Sequence, residues 1–138
     1  TLEYLETMGV PVIGLATNEL PAFFSIESGL VLRQSVPNVA EAASIIAKRR
    51  TLQLEGGEIL AVPPPAHSAL PQAQVEQWID SAVSEARRAD LRGPSVTPFL
   101  LERLRDLSGG RTLSTNIALI EHNSSVAASF AKECAALL

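Results

Sequence analysis

The chain has 138 residues, of which 46% are hydrophobic and 19% charged, with a net charge of −4. That balance describes one foldable domain or part of a larger one, not a disordered segment. Its eleven basic residues are dispersed, no apolar run approaches the ~20 residues that cross a bilayer, and Cys134 stands alone, so nucleic-acid binding, membrane spanning and an internal disulfide are all disfavoured. A lone thiol and no secretory pattern predict a cytoplasmic setting.

Taken in chain order, Thr1 to Met8 shows a helical stripe of Leu2, Leu5 and Met8, with Gly9 placed to close it in the left-handed conformation. A chain that opens part-way along such an element reads as truncated, the alternative being that Thr1 is a native cap. Val10 to Ala16 is a short apolar run of the kind that forms a strand buried on both faces. The loop Thr17 to Pro21 then falls at the strand's carboxyl end, where open α/β sheets bind ligands. Val31-Leu32-Arg33 predicts another brief strand.

Asn38 and Glu41 form a capping arrangement for a helix to about Arg50, with Glu41 reaching back to the cap. Gly56-Gly57 turns the chain into a strand at Ile59 to Val62, which three prolines, Pro63 to Pro65, end by removing every amide donor. Pro71 opens a helix running from Gln72 to about Ala89, with Val75, Trp78, Ile79, Ala82, Val83 and Ala86 as its buried face. That periodicity makes Trp78 core material, not a stacking platform. The basic clusters Lys48-Arg49-Arg50 and Arg87-Arg88 read as helix-end cations.

Thr97 is expected to cap the next helix, with Pro98 in its first turn and Phe99, Leu100, Leu101, Leu104 and Leu107 packing. Ser108 to Thr112 is a glycine corner, and a last helix runs from about Leu113 to Leu137. Asn116 falls in its first turn, where an amide either partners the local backbone or offers a donor and an acceptor to a pyrimidine edge. Asn123 follows at i+7 on the same face. His122 reads as a surface residue, having no metal-ligand spacing with His67. Cys134 has no nearby base and reads as a passive thiol.

The blocks Thr1-Leu2-Glu3-Tyr4-Leu5-Glu6-Thr7, Gly9-Val10-Pro11-Val12-Ile13-Gly14, Leu20-Pro21-Ala22-Phe23-Phe24, Thr97-Pro98-Phe99 and Ser114-Thr115-Asn116-Ile117-Ala118-Leu119 resemble, in order, the pseudouridine-5′-phosphate glycosidase family, also called indigoidine synthase A-like. Two places depart from its pattern: Ile26 where a polar, arginine-containing loop is usual, and Val62 before the triple proline. The resemblance implies a three-layer α/β/α fold, of which residues 1–138 would be the C-terminal portion of a single domain. It implies reversible cleavage of the C–C glycosidic bond of pseudouridine 5′-phosphate to uracil and ribose 5-phosphate. It also implies a lysine Schiff base, a glutamate acid and manganese (Mn2+), a homotrimer and, in some relatives, a fused PfkB-type kinase domain.

Matched position by position, Asn116 corresponds to the family's substrate-binding asparagine. The catalytic lysine, the glutamate and the metal ligand are expected upstream of Thr1, leaving no catalytic or metal residue within the chain. Lys48 and Lys132 lie in contexts unlike the family's lysine. Two readings follow: an inactive portion of a glycosidase, or a non-catalytic remnant serving nucleotide binding or oligomerisation.

Overall fold

The computed structural model describes residues 2–137. Helix α1 (Leu2–Thr7) leads into strand β1 (Val12–Leu15), followed by β2 (Gln34–Val36), α2 (Val39–Thr51), β3 (Ile59–Ala61), α3 (Gln72–Arg88), α4 (Val96–Leu107) and α5 (Arg111–Ala136). The three strands form a parallel sheet in the order β2-β1-β3, with Ile13 opposite Gln34 on one side and Leu60 on the other. This is an α/β fold.

β1 is central, and its alternation feeds two apolar layers. Val12 packs with Leu32 and Ala61 against Leu2, Leu5 and Leu20, while Ile13 packs with Val36 and Ala42 against Leu60 and Phe130. Only a parallel strand covered on both faces needs so unbroken an apolar run. Gly14 lies between these layers where the chain folds back on itself: a Cβ there would sit 2.1 Å from the Thr17 carbonyl oxygen and 3.0 Å from Leu32 Cδ1. A third cluster, Phe24, Val75 and Leu104 with Leu70 and Trp78, joins the loop after β1 to the α3–α4 pair. Arg103 spans that pair with a two-pronged contact to Glu85, at 2.6 and 3.0 Å.

Several local expectations hold. Gly9 takes φ +70°, and Asn38 Oδ1 accepts from the Glu41 amide at 2.9 Å. Trp78 is half-buried against the third cluster, with the Arg111 guanidinium 4.9 Å from its ring centroid. Glu41 reaches back to the cap, its carboxylate accepting from Asn38 Nδ2 at 3.5 Å. Other expectations are corrected. Met8 and Ile79 are exposed. Pro71 precedes α3 instead of opening it, its carbonyl accepting from the amides of Gln74 and Val75.

The second strand lies at Gln34–Val36, not at 31–33. Glu19 accepts from the amides of Ser28 and Gly29, so the chain from Glu19 to Val31 returns as a flap, and parallel pairing with β1 begins only beyond it. Thr97 is no cap: Gly93–Ser95 forms a 3₁₀ turn containing Pro94, whose fixed φ starts helical backbone early, and α4 follows at Val96. The last helix likewise begins at Arg111, not Leu113. Gly110 at φ +85° stands before it, and the Ser108 hydroxyl accepts from the Thr112 amide at 3.1 Å, satisfying one free first-turn donor. Asn116 is therefore the sixth residue of α5 and lies beyond its first turn. The Thr1 cap and Leu138 lie outside the described residues.

Candidate functional site

The glycine corner is rigid because its polar groups answer one another. Ser108 Oγ donates to the Arg105 carbonyl at 3.1 Å and meets Thr112 Oγ1 at 3.0 Å, both hydroxyls being buried. One turn later Thr115, only 2% exposed, donates its hydroxyl to the Ser68 carbonyl at 2.6 Å, tying α5 to the segment after the triple proline. These bonds fix the rotation of α5 and so the direction of the neighbouring Asn116.

Asn116 is half-buried and lines a cavity of about 320 Å³ with Phe24, Glu102, Arg105, Thr112 and Leu113. No hydrogen bond to neighbouring backbone occupies its amide among those of the described residues. Arg105 donates to Asp106 from Nε (3.0 Å) and Nη2 (2.8 Å), and that carboxylate raises the guanidinium's pKa further, so the cationic member of a half-exposed ion pair lines the cavity. Asn123 does not share this cavity. It lines another, of about 300 Å³, beside β3 with Leu20, Phe23 and Leu119. The two asparagines share a helix face but are separated by the Phe23-Phe24 turn, in which Phe23 adopts φ +54° and its ring meets Phe24 edge-on at 4.6 Å.

The loop bearing those phenylalanines is held by Glu19. Its carboxylate accepts from the Gly29 amide at 2.8 Å and the Ser28 amide at 3.0 Å, and these two donors, Gly29 foremost, lower its pKa from the ordinary 4.5. Thr17 Oγ1 donates to the Glu19 carbonyl and accepts from the Glu19 amide, closing the turn from the other side. Nothing local in the sequence marks Glu102 and Arg105 as cavity residues. Their i,i+3 spacing on α4 sets them on one face, but only the approach of α4 to α5 brings that face to Asn116.

Lys48 and Lys132 are exposed and line neither asparagine cavity. A larger space of about 520 Å³ opens between α2 and α5 around Arg49, Arg50, Phe130 and Cys134, away from Asn116. Among the described residues no three His, Cys, Asp or Glu side chains converge as a metal site requires. The described residues by themselves therefore supply no ligand set for the manganese that the family resemblance implies. No described helix is long and apolar enough to cross a membrane.

Residues 1–133 match the family described as indigoidine synthase A like protein. The chain belongs to that family. Among curated relatives of this indigoidine synthase A-like chain, a protein of Caldanaerobacter subterraneus subsp. tengcongensis named pseudouridine-5′-phosphate glycosidase is 47% identical over 131 residues, covering 95% of this chain and 43% of its own. A Staphylococcus aureus protein of the same name is 46% identical with the same coverage. The chain thus spans less than half the length of these relatives.

Two solved structures share the fold. The prealnumycin C-glycosynthase AlnA, in complex with ribulose 5-phosphate, superposes with a TM-score of 0.90 at 29% identity, over 99% of this chain and 45% of AlnA. An indigoidine synthase A-like protein of Thermotoga maritima gives 0.81 at 34% identity, over 95% of this chain and 43% of its own.

Proposed function

We propose that residues 1–138 are the C-terminal portion of a pseudouridine-5′-phosphate glycosidase domain and form the base-binding wall of its nucleotide pocket. The observation that carries this reading is the placement of Asn116: its amide stands at the wall of a 320 Å³ cavity, beside Phe24, with no local partner. That volume lies within the usual range for small-molecule sites. A pyrimidine edge alternates N–H donors with carbonyl acceptors, and an amide answers both, whereas a carboxylate offers only acceptors. Phe24 supplies an apolar flank for the ring. Curated relatives 46–47% identical to the chain carry the glycosidase name, which supports the same substrate class.

The reaction splits a carbon–carbon bond between ribose 5-phosphate and uracil. No heteroatom is available at the leaving base for simple acid catalysis, so a lysine amine that converts the opened sugar to an iminium is the natural electron sink. Neither Lys48 nor Lys132 is placed to do this, so residues 1–138 hold and orient the base through Asn116 and Phe24, while the reacting groups come from elsewhere in the complete enzyme. By itself the chain is inactive on this reading.

The test has two arms. The 138-residue chain, given pseudouridine 5′-phosphate and manganese, should release no uracil and yield no borohydride-trapped sugar adduct. A chimaera in which it replaces the matched 131 residues of the Caldanaerobacter relative should release uracil. An adduct on Lys48 or Lys132 would overturn the assignment of roles, and a folded but silent chimaera would overturn the assigned activity.

A further inference from the structure

α5 carries too few charges for the amount of water it meets. Its 26 residues include only Arg111, Glu121, Lys132 and Glu133 as charged side chains, and none lies between Thr112 and Ile120. A helix so poor in charge is normally covered on most sides. Here only Thr112, Thr115 and Leu119 are buried. Leu113, Ile117 and Ile120 are 48%, 50% and 57% exposed. Their spacing of four and three places them on one stripe, with Asn116 between them on the same face. Leu101 of α4, 49% exposed, extends the stripe across the cavity mouth, since it and Leu113 line the same space as Asn116. Contiguous apolar surface of this kind marks a face built for another polypeptide.

Coverage by the relatives says which polypeptide. Nearly all of this chain, 95%, is matched in the Caldanaerobacter protein, yet it accounts for 43% of that protein, and 45% of AlnA superposes on 99% of it. More than half of each relative is therefore polypeptide with no counterpart among these residues. We infer that the Leu101–Leu113–Ile117–Ile120 face is the docking surface for that remaining portion of the family's chain, which lays an apolar face along α5 and closes the Asn116 cavity. The docking itself stands on exposure, spacing and charge; only the claim that it completes a nucleotide pocket rests on the function proposed above.

The test introduces Ile117→Glu together with Ile120→Glu into the isolated chain and into the chimaera. In the isolated chain both side chains meet solvent, so melting should be unchanged. In the chimaera two unpaired charges would be forced against apolar surface, and melting should fall by about 10 °C or more. Equal and negligible shifts in both proteins would overturn the inference. So would sedimentation showing that the isolated chain self-associates through this face and that the chimaera's double variant loses only its oligomeric state, which would make the occupant a second copy. If the chimaera does not fold, the same pair at the aligned positions of the intact Caldanaerobacter relative gives the same readout. A chimaera that is destabilised as expected but whose parent releases no uracil would leave the docking intact and sink the function alone.

Discussion

Thr115→Val is the sharpest probe of how the candidate site is held. Thr115 is 2% exposed, and its hydroxyl donates to the Ser68 carbonyl across 47 residues of sequence at 2.6 Å. Valine keeps the shape and the β-branch, so helix propensity and packing volume change little. What changes is that a buried carbonyl loses its donor and a methyl faces it. Leaving such a group unsatisfied costs about 1–3 kcal/mol. At roughly 3–5 °C per kcal/mol for a chain of this length, melting should fall by about 3–15 °C. Thr115→Ser provides the control: it keeps the donor, loses one methyl and should cost about 1 kcal/mol. Urea unfolding with an unchanged m-value, checked by thermal melting, measures both. If the valine variant matches or exceeds the parent, or serine costs more than valine, the Ser68 contact does not anchor α5.

Gly14→Ala places a Cβ 2.1 Å from the Thr17 carbonyl oxygen on the central strand, so it should destabilise at or above the upper end of the usual ~1–3 kcal/mol for overpacking; a denaturation midpoint equal to the parent's would refute the close approach. The Glu19 clamp predicts a pH dependence. Its folded pKa lies below 4.5, so its stabilisation is complete above that value and is lost as pH falls through the lower folded value. The melting difference between the parent and Glu19→Gln should therefore be largest near neutrality and shrink in acid; a difference independent of pH contradicts the clamp. Cys134 lines the space between α2 and α5, away from Asn116, so Cys134→Ser should leave uracil release by the chimaera unchanged.

Much of this arrangement is legible in the residues because local chemistry and long-range packing agree. Val12 and Ile13 have the β-branched character of a strand buried on both faces, and Asn38-Val-Ala-Glu41 announces a helix start that no tertiary contact overrides. Where they disagree, the sequence misleads. Val31-Leu32-Arg33 looks like a strand, but Leu32 is buried beside one while pairing waits for Gln34, because register with Ile13 is decided by the Glu19 flap. Thr97 has the chemistry of a cap, yet Pro94 has already committed the backbone to a helical turn.

The site shows the same division. Asn116 stands out only by family resemblance, since its place near a helix start favours a local backbone partner. Glu102 and Arg105 carry no local sign of a binding role, because the cavity they share with Asn116 exists only where α4 and α5 meet. The exposed apolar stripe on α5 goes with its near-absence of charge, but only the fold shows that Leu113, Ile117 and Ile120 are left uncovered.

The most direct measurement is the rate of uracil release by the chimaera with and without Asn116→Asp. The substitution preserves size and helix position but removes both amide donors and sets a carboxylate against the carbonyl edge of the base. Loss of a complementary hydrogen-bonding group at such a site costs roughly 10²-fold or more in kcat/KM. The account predicts that loss in a variant whose melting temperature is close to the parent's; release at the parental rate would show that Asn116 does not touch the base.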